Sequence, residues 1–322
     1  MRAPHFKKWF AKLPALNVPQ RLQTLAALHP AAGLDQVIAL IDQVGASIRR
    51  CPSCTCKQYH RHGQANGLQR YRCRACGRTY NDLSGTPLAR LSLREKWLDY
   101  LGCVLESKSV RASASQVGVH RNTAFRWRHR FLEGPRHDRP DRLHGIAEAD
   151  EMFILESQKG SRKLDRPARK RGGRANKRGI SRELDCVLVA RDRGGQIVDA
   201  VVGRGALTAA QLERHLLPRL DRQVLLVSDA HGAYRSFARK HGIAHEAVNL
   251  RAGVRVRHGA AGAIHVQNVN AYHQRFRQWL GHFRGVASRY LPNYLGWRRA
   301  LDGGRISSAE QLLRIAIRVI NS

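Results

Sequence analysis

The stretch Gly145-Ile146-Ala147-Glu148-Ala149-Asp150-Glu151-Met152-Phe153-Ile154-Leu155 decides the reading of the fold, because it is an apolar run interrupted by acids in a very basic chain. Its residues alternate in two sets, Ile146, Glu148, Asp150, Met152 and Ile154 against Ala147, Ala149, Glu151, Phe153 and Leu155, and that period of two predicts a strand. A carboxylate in the middle of such a strand costs desolvation energy unless it is paired or holds a metal. Asp150 therefore has two readings, a place on the solvated face of an edge strand or a ligand in a site. Its surroundings favour the ligand: two cysteine pairs and paired helices lie upstream, and an α/β succession with one more strand-end Asp lies downstream.

The 322 residues suffice for two or three domains of about 100–200 residues each, and a hydrophobic content of 43% supports a real core. Lys and Arg number 57 against 24 Asp and Glu, a formal charge of +33 spread along the chain, which implies a polyanionic partner. Nucleic acid is the first candidate and an anionic membrane surface the second. No apolar run approaches the roughly 18 residues of a spanning helix, and the start, with Arg2, Lys7, Lys8 and Lys12, has no apolar signal region. The expected setting is the cytoplasm, with no membrane partner. Of seven cysteines, four form two CxxC pairs, which in a reducing compartment argues for metal rather than disulfides.

Residues 1–45 read as a helical segment with two short patterns, Pro19–Leu28 and Leu34–Val44, separated by His29-Pro30-Ala31-Ala32-Gly33, and with a packing or protein-contact role. Residues 46–86 read as a zinc ribbon. Cys51 and Cys54, then eighteen residues, then Cys73 and Cys76 let four thiolates close one tetrahedral Zn2+ site, with strands between the knuckles. Cys56, His60 and His62 are spare, because the usual spacing is complete without them. The basic and aromatic filling, Arg61, Arg70, Tyr71, Arg72, Arg78 and Tyr80, suits a phosphate backbone; a purely stabilising zinc site is the alternative.

Residues 87–140 read as helices over Ser92–Glu106, Val110–Val117 and Arg121–Leu132, with a break at Gly118 and a Pro-bearing linker over 134–140. In the last helix Ala124, Trp127 and Phe131 share a stripe, which leaves Asn122, Arg126 and His129 on the opposite face. That is helix-turn-helix geometry suited to the major groove, where Asn pairs with adenine and Arg with guanine. An ordinary helical hairpin with a solvated polar face is the alternative.

Residues 141–290 form the α/β part. Gln158–Glu183 holds eleven Lys or Arg, opposed by Asp165 and Glu183, and has no apolar periodicity; this predicts a mobile basic loop ordered by phosphate, with Arg171 and Lys177 as DNA contacts. Asp185–Ala190 and Gln196–Val202 read as a hairpin, Thr208–Leu220 as a helix, and the apolar Gln223–Asp229 as a central parallel strand. It delivers Asp229 at its carboxyl end, where the sites of α/β sheets lie. From Ile264 on, Val269, Tyr272, Phe276, Leu280 and Phe283 make an apolar helical stripe, beside which Asn270, Arg277 and Arg284 recur every seven residues, with His273 close by. Residues 291–322 read as a carboxyl-terminal helical segment whose last helix, Ser307–Ile320, opens with a Ser307/Glu310 capping box.

As an ordered set, the CPSC and CRACG pairs, Thr123-Ala124-Phe125-Arg126-Trp127-Arg128, Ala149-Asp150-Glu151, Ser228-Asp229-Ala230-His231-Gly232-Ala233-Tyr234 and the run from His265 to His273 resemble bacterial insertion-sequence transposases with a zinc-ribbon amino terminus and a DDE-type catalytic domain. The resemblance covers about residues 45 to 300. It implies a ribonuclease-H-like α/β fold, a mixed sheet with flanking helices, preceded by a zinc ribbon and a helix-turn-helix module. It also implies work on double-stranded DNA, both element ends and target, as a homo-oligomer in the bacterial nucleoid. The implied chemistry is end cleavage followed by transfer of 3′-hydroxyl ends through two divalent cations, Mg2+ or Mn2+. Carried onto this chain, the first two ligands are Asp150 and Asp229. The family's Glu on the following helix has no counterpart: the only carboxylates after Asp229 are Glu246, Asp302 and Glu310, and none falls in the matching helix. The third position passes to Asn270, whose amide oxygen ligates without charge, and Arg277 becomes a phosphate contact. Two other readings stay open, a DNA-binding protein that has lost transposition and a nuclease without strand transfer.

Overall fold

The computed structural model describes residues 2–170, 172–248, 256–259 and 262–318, and the chain packs as two units, Met1–Arg128 with Ser308–Ser322, and His129–Ser307. The first unit opens with α1 (Ala3–Phe10) and α2 (Val18–Ile48). A capping box starts α2: Asn17 Oδ1 accepts from the Gln20 N–H and Gln20 Oε1 accepts from the Asn17 N–H. The helix runs unbroken for 31 residues, so the two short helices expected from the sequence are one. Pro30 removes a hydrogen bond from its interior, at about 3 kcal/mol. Burial of Val37, Leu40, Ile41 and Val44 farther along outweighs this, at about 1.5–3 kcal/mol per side chain.

A three-stranded antiparallel sheet follows, β1 (Tyr59–Ala65), β2 (Leu68–Cys73) and β3 (Thr79–Tyr80). Its first turn, Asn66-Gly67, has φ of 51° and 72°, the left-handed pair that a tight two-residue hairpin needs. Three helices come next, α3 (Trp97–Leu105), α4 (Val110–Val117) and α5 (Arg121–His137). Ser109 Oγ caps α4 by accepting from the Ala112 N–H, and Gly118 ends it at φ 65°. Trp97, Tyr100, Ala124 and Trp127 are buried here, and Tyr100 Oη donates to the Ala124 carbonyl.

In the second unit β4 (Ile146–Leu155), β5 (Leu184–Asp192) and β6 (Ile197–Arg204) lead to α6 (Ala209–His215), β7 (Leu225–Asp229), α7 (Gly232–His241) and β8 (Ala244–Val248). A separate hairpin, β9 (Arg257–Gly259) with β10 (Gly262–Ile264), precedes α8 (Gln267–Gly281) and α9 (Leu291–Asp302). The five long strands form one mixed sheet in the order β6-β5-β4-β7-β8, antiparallel from β6 to β4 and parallel from β4 to β8. Because β4 is central, the edge-strand reading of Asp150 does not hold. Ala147 and Ala149 of β4, with Leu188 and Ala190 of β5, pack on Leu212, Leu216, Tyr234 and Phe237 around α6 and α7. The opposite face carries α8, against β4 and β5, and α9, against β6.

Val269, Tyr272 and Phe276 turn inward from α8 as their spacing predicts. The helix ends at Gly281, so Arg284, at φ 50°, lies past it and not on the seven-residue repeat. The buried Asp199 of β6 accepts from the Arg299 guanidinium of α9 and from Tyr272 Oη at 3.3 Å. Arg299 Nη2 also donates to the carbonyls of Pro135 at 2.7 Å and Arg136 at 3.2 Å. Gly296 permits this approach, since a Cβ there would lie 2.5 Å from Arg136 Cα. These contacts carry α5 through Gly134 and Pro135 to His137, where the sequence predicts a linker.

The basic stretch between β4 and β5 holds no helix or strand among its described residues, as its composition predicts. It is nevertheless tied down. Buried Glu156 pairs with Arg166 Nε at 2.8 Å, Arg169 Nη1 at 3.3 Å and Arg204 Nη2 at 3.3 Å, and Glu183 accepts from Asn176 Nδ2 at 3.1 Å and the Lys177 N–H at 3.0 Å. The last helix, α10 (Ala309–Arg318), belongs to the first unit and packs on α2 and α3. Ser308 caps it, one residue beyond the expected Ser307, by accepting from the Gln311 N–H, and Glu310 accepts from Gln36 Nε2 instead. Ile320, the expected end, lies outside the described residues. No helix among the described residues is long and apolar enough to cross a membrane.

Replacing Arg299 by Met leaves Asp199 buried without its countercharge and is expected to cost about 3–5 kcal/mol in chemical denaturation. A loss below about 1 kcal/mol, the scale of an exposed ion pair, would show that the pair is not a structural junction.

Candidate active site

Strand pairing assembles the site. Ala149 of β4 pairs in parallel with Ser228 of β7, so the next residues on the two neighbouring strands are Asp150 and Asp229, side by side at the carboxyl end of β7. Burial, then the charges of Glu151 and Asp229, push the Asp150 carboxyl up to about 7, against the opposing pull of Arg277. Asp229 Oδ1 accepts from the His231 N–H at 2.9 Å, where α7 begins. Glu151 points to the α7 side of the sheet and accepts from Tyr234 Oη at 3.1 Å. Its carboxyl is also raised, by burial and by Asp229, with His231 and Tyr234 acting the other way. Carboxylates so crowded favour a countercharge, and their hard oxygens suit a divalent cation of the Mg2+ type.

The third element is α8. Fully buried Glu148, two residues before Asp150 on the same face of β4, accepts from the backbone N–H groups of Asn268 at 2.8 Å and Val269 at 3.1 Å. Asn270, His273 and Arg277 recur at i, i+3 and i+7 and so share a face of the helix. His273 Nδ1 stands 3.6 Å from Asp150 Oδ2, and Arg277 is close enough to act on Asp150 electrostatically. Burial, reinforced by Arg277, drives the His273 imidazole down to about 3, so it is neutral near pH 7. Its Nε2 is buried without a hydrogen-bond partner. Asn270 itself is exposed, one turn before His273. The structure thus sets Asp150 beside Asp229 and brings His273 and Arg277 of α8 to Asp150, while Asn270 shares their helix face by spacing. Sequence reasoning passed over Glu148, Glu151 and the contact of His273; for Glu148 the two-residue period of the strand already placed it beside Asp150.

The four cysteines form a second centre. The Sγ atoms of Cys51, Cys54, Cys73 and Cys76 all lie within 4.8 Å of one another, with Cys51 to Cys76 at 3.6 Å and Cys54 to Cys73 at 3.5 Å. Four thiolates about 2.3 Å from one tetrahedral ion would stand about 3.8 Å apart, so the set is compatible with zinc. The backbone N–H of Cys76, against desolvation, brings the Cys73 thiol down to about 6. Cys54, despite the backbone N–H of Cys56, is pushed up to about 12 by the Cys76 sulfur. Cys56, His60 and His62 stand outside the group.

Of the groups expected at DNA, Asn122 and Arg126 are exposed on α5 and Lys177 is exposed in the basic stretch. The His129 ring stacks on Tyr290 with centroids 3.7 Å apart, and its carbonyl accepts from Asn293 Nδ2 at 3.2 Å, so packing engages it. Arg171 lies outside the described residues.

Because its folded carboxyl is raised from 3.8 to about 7, Asp150 keeps a proton that the unfolded chain loses, and its contribution falls as pH rises between those values. In metal-free buffer Asp150→Asn is therefore expected to raise the melting temperature by a few degrees at pH 8 and by less at pH 5, at about 2–4 °C per kcal/mol. Equal gains at both pH values would show that the carboxylate is not strained.

Residues 142–298 match the sequence family described as the ISXO2-like transposase domain. A relative in Halobacterium salinarum, "Uncharacterized protein in transposable element ISH50", is 30% identical over 248 residues, 76% of this chain and 82% of the relative. That source is archaeal, so the likeness is not confined to the bacterial elements of the sequence resemblance. Among solved structures, the "Mos1 transposase paired-end complex with left transposon end" overlaps at a TM-score of 0.27, with 15% identity over 69% of this chain and 75% of that one. The pre-cleavage Mos1 transpososome overlaps at 0.20, with 17% identity over 63% and 78%. By its sequence matches, the chain belongs to the ISXO2-like transposase family of insertion-sequence elements.

Proposed function

We propose that the chain is the DNA transposase of an insertion sequence, which binds the element's ends, cleaves them and transfers their 3′-hydroxyls to target DNA on a ribonuclease-H-like domain. The observation that carries this reading is the parallel pairing of Ala149 with Ser228, which brings Asp150 next to Asp229, with His273 of α8 3.6 Å from Asp150. Both carboxylates and the Asn270 amide oxygen would hold Mg2+ or Mn2+, to which they offer hard oxygen donors. A bound pair of such cations supplies activation of the attacking oxygen and stabilisation of the leaving one. The residues around it orient the rest. Arg277 presents a cation where a phosphodiester would lie, and neutral His273 fills the space behind Asp150 without adding a charge that competes with the metal. Asn122 and Arg126, on the second helix of a helix-turn-helix, read the element's end, while Lys177 and Arg171 meet phosphate. The cysteines hold a zinc ribbon together. An element has two ends to be cut, which favours a homo-oligomer on the DNA, in the cytoplasm.

Asn270 in place of an acid favours a second reading, a transposase-derived DNA-binding protein without catalysis. Single-turnover cleavage of a DNA end in Mg2+ separates the two. Asp150→Ala, Asp229→Ala and Asn270→Ala are each expected to lose cleavage by about 10³-fold, the scale of removing a group aimed at the developing charge, while end binding stays intact. A wild type that binds ends tightly but cleaves nothing in Mg2+ or Mn2+ would establish the second reading; cleavage without joining would make the chain a nuclease.

Purified protein is expected to contain about one zinc per chain, since four thiolates close around a single ion. Cys73→Ser should lose that zinc along with the fold of the β1–β3 sheet. Full zinc content in the variant would remove the ribbon assignment.

A further inference from the structure

Glu148 touches neither of the proposed ligands, yet it is fully buried and collects hydrogen bonds from the start of α8. We infer that Glu148 is a positioning residue for Asn270: it anchors the amino terminus of α8 to β4 and so sets where the uncharged third ligand stands relative to Asp150. This rests on the metal-site reading of Asp150, Asp229 and Asn270.

The first N–H groups of a helix have no partner within it, and Val266, at the N-cap, supplies no side-chain bond. Glu148 Oε2 takes two of them, from Asn268 at 2.8 Å and Val269 at 3.1 Å, while Oε1 takes Asn268 Nδ2 at 2.8 Å. Arg193 Nη1 lies 3.1 Å from Oε1 and His265 Nδ1 lies 3.4 Å from it. Arg193, in the β5–β6 turn, also bonds His265 Nε2 at 2.8 Å and donates to the Ala263 carbonyl at 3.0 Å, so the segment entering α8 shares the anchor. Two backbone N–H groups, an amide NH2 and a guanidinium all donate, and a carboxylate is the side chain that accepts from all of them. Its charge also suits the positive end of the helix.

The junction lies next to both ligands. Glu148 precedes Asp150 by two residues on one strand, a step of about 6.6 Å. Val269 immediately precedes Asn270. One stiff strand and one hydrogen-bonded contact thus link Asp150 to the turn that carries Asn270, ahead of the buried stripe that packs the rest of α8 on the sheet. An amide oxygen has no charge with which to draw a cation from a distance, so its contribution depends on placement more than a carboxylate's would.

The test is Mn2+ binding to the full chain, titrated by electron paramagnetic resonance, with zinc content and thermal unfolding measured on the same samples. Glu148→Gln keeps one oxygen for the backbone N–H groups, and is expected to retain zinc and cooperative unfolding but to bind Mn2+ about 10–100-fold more weakly, as when a partner that orients a ligand is lost. In an Asn270→Ala background the same change should cost nothing further, because the residue it acts through is gone. An additional loss of the same size there would overturn the inference, since Glu148 would then act on Asp150 or on the fold at large. If Glu148→Gln does not fold, Asn268→Ala and Arg193→Ala each remove one contact of the junction, and undisturbed Mn2+ binding in both would overturn it. A wild type that binds no Mn2+, or binds it equally well as Asp150→Ala, defeats the metal reading and the inference together. Binding that needs Asp150 but ignores Glu148→Gln defeats the inference alone.

Discussion

Parallel pairing of β4 with β7 is the constraint on which the rest of the site depends. With Ala149 opposite Ser228, the two aspartates fall next to each other; a slip of one residue would carry one of them to the other face of the sheet, because side chains alternate along a strand. The register is set before the acids are reached. Leu143 exchanges backbone hydrogen bonds with Arg219 at 2.7 Å and Asp221 at 3.0 Å, and the Leu225 N–H donates to the Gly145 carbonyl at 2.8 Å. Ala147, Ala149 and Leu226, all fully buried, then close the interface in that register.

The two faces of the sheet meet this constraint by different means. Toward α6 and α7 the packing is apolar, with Leu212, Leu216 and Phe237 in contact with the sheet. Toward α8 and α9 the buried apolar stripe of Val269, Tyr272 and Phe276 is joined by enclosed polar contacts: Glu148 at the head of α8, His273 beside Asp150, and Asp199 between Tyr272 and Arg299. Polar groups in such surroundings define one geometry more sharply than methyl groups do, because an unmade hydrogen bond there costs about 1–3 kcal/mol. The face that holds the aspartates is accordingly the one whose helices are held by directional bonds.

Much of this was legible in the chain. The alternation through Asp150, the hairpin of β5 and β6, the apolar run ending in Asp229 and the stripe Val269, Tyr272, Phe276 each carry their pattern locally, and the structure keeps them. What escaped notice depends on contacts far apart in sequence. Pro30 reads as a break, yet packing of the second half of α2 overrides it. Gly134-Pro135 reads as a linker, yet Arg299, remote in sequence, takes the Pro135 carbonyl and keeps α5 going. The edge strand Ala244–Val248 is short and holds His245 and Glu246 among its five residues, too weak a pattern to detect. The approach of His273 to Asp150 could be known only once α8 was placed on β4.

Asp150 retains its proton up to about pH 7 because burial and two neighbouring acids oppose its ionisation. Any cation it takes up must first evict that proton. Below pH 7 each uptake event then releases about one hydrogen ion, and apparent affinity falls about tenfold for each further pH unit. If Asp150 ligates a divalent cation as proposed, hydrogen ions and that cation compete for one pair of oxygens. Acidification would then oppose cation uptake by competition at the carboxylate itself.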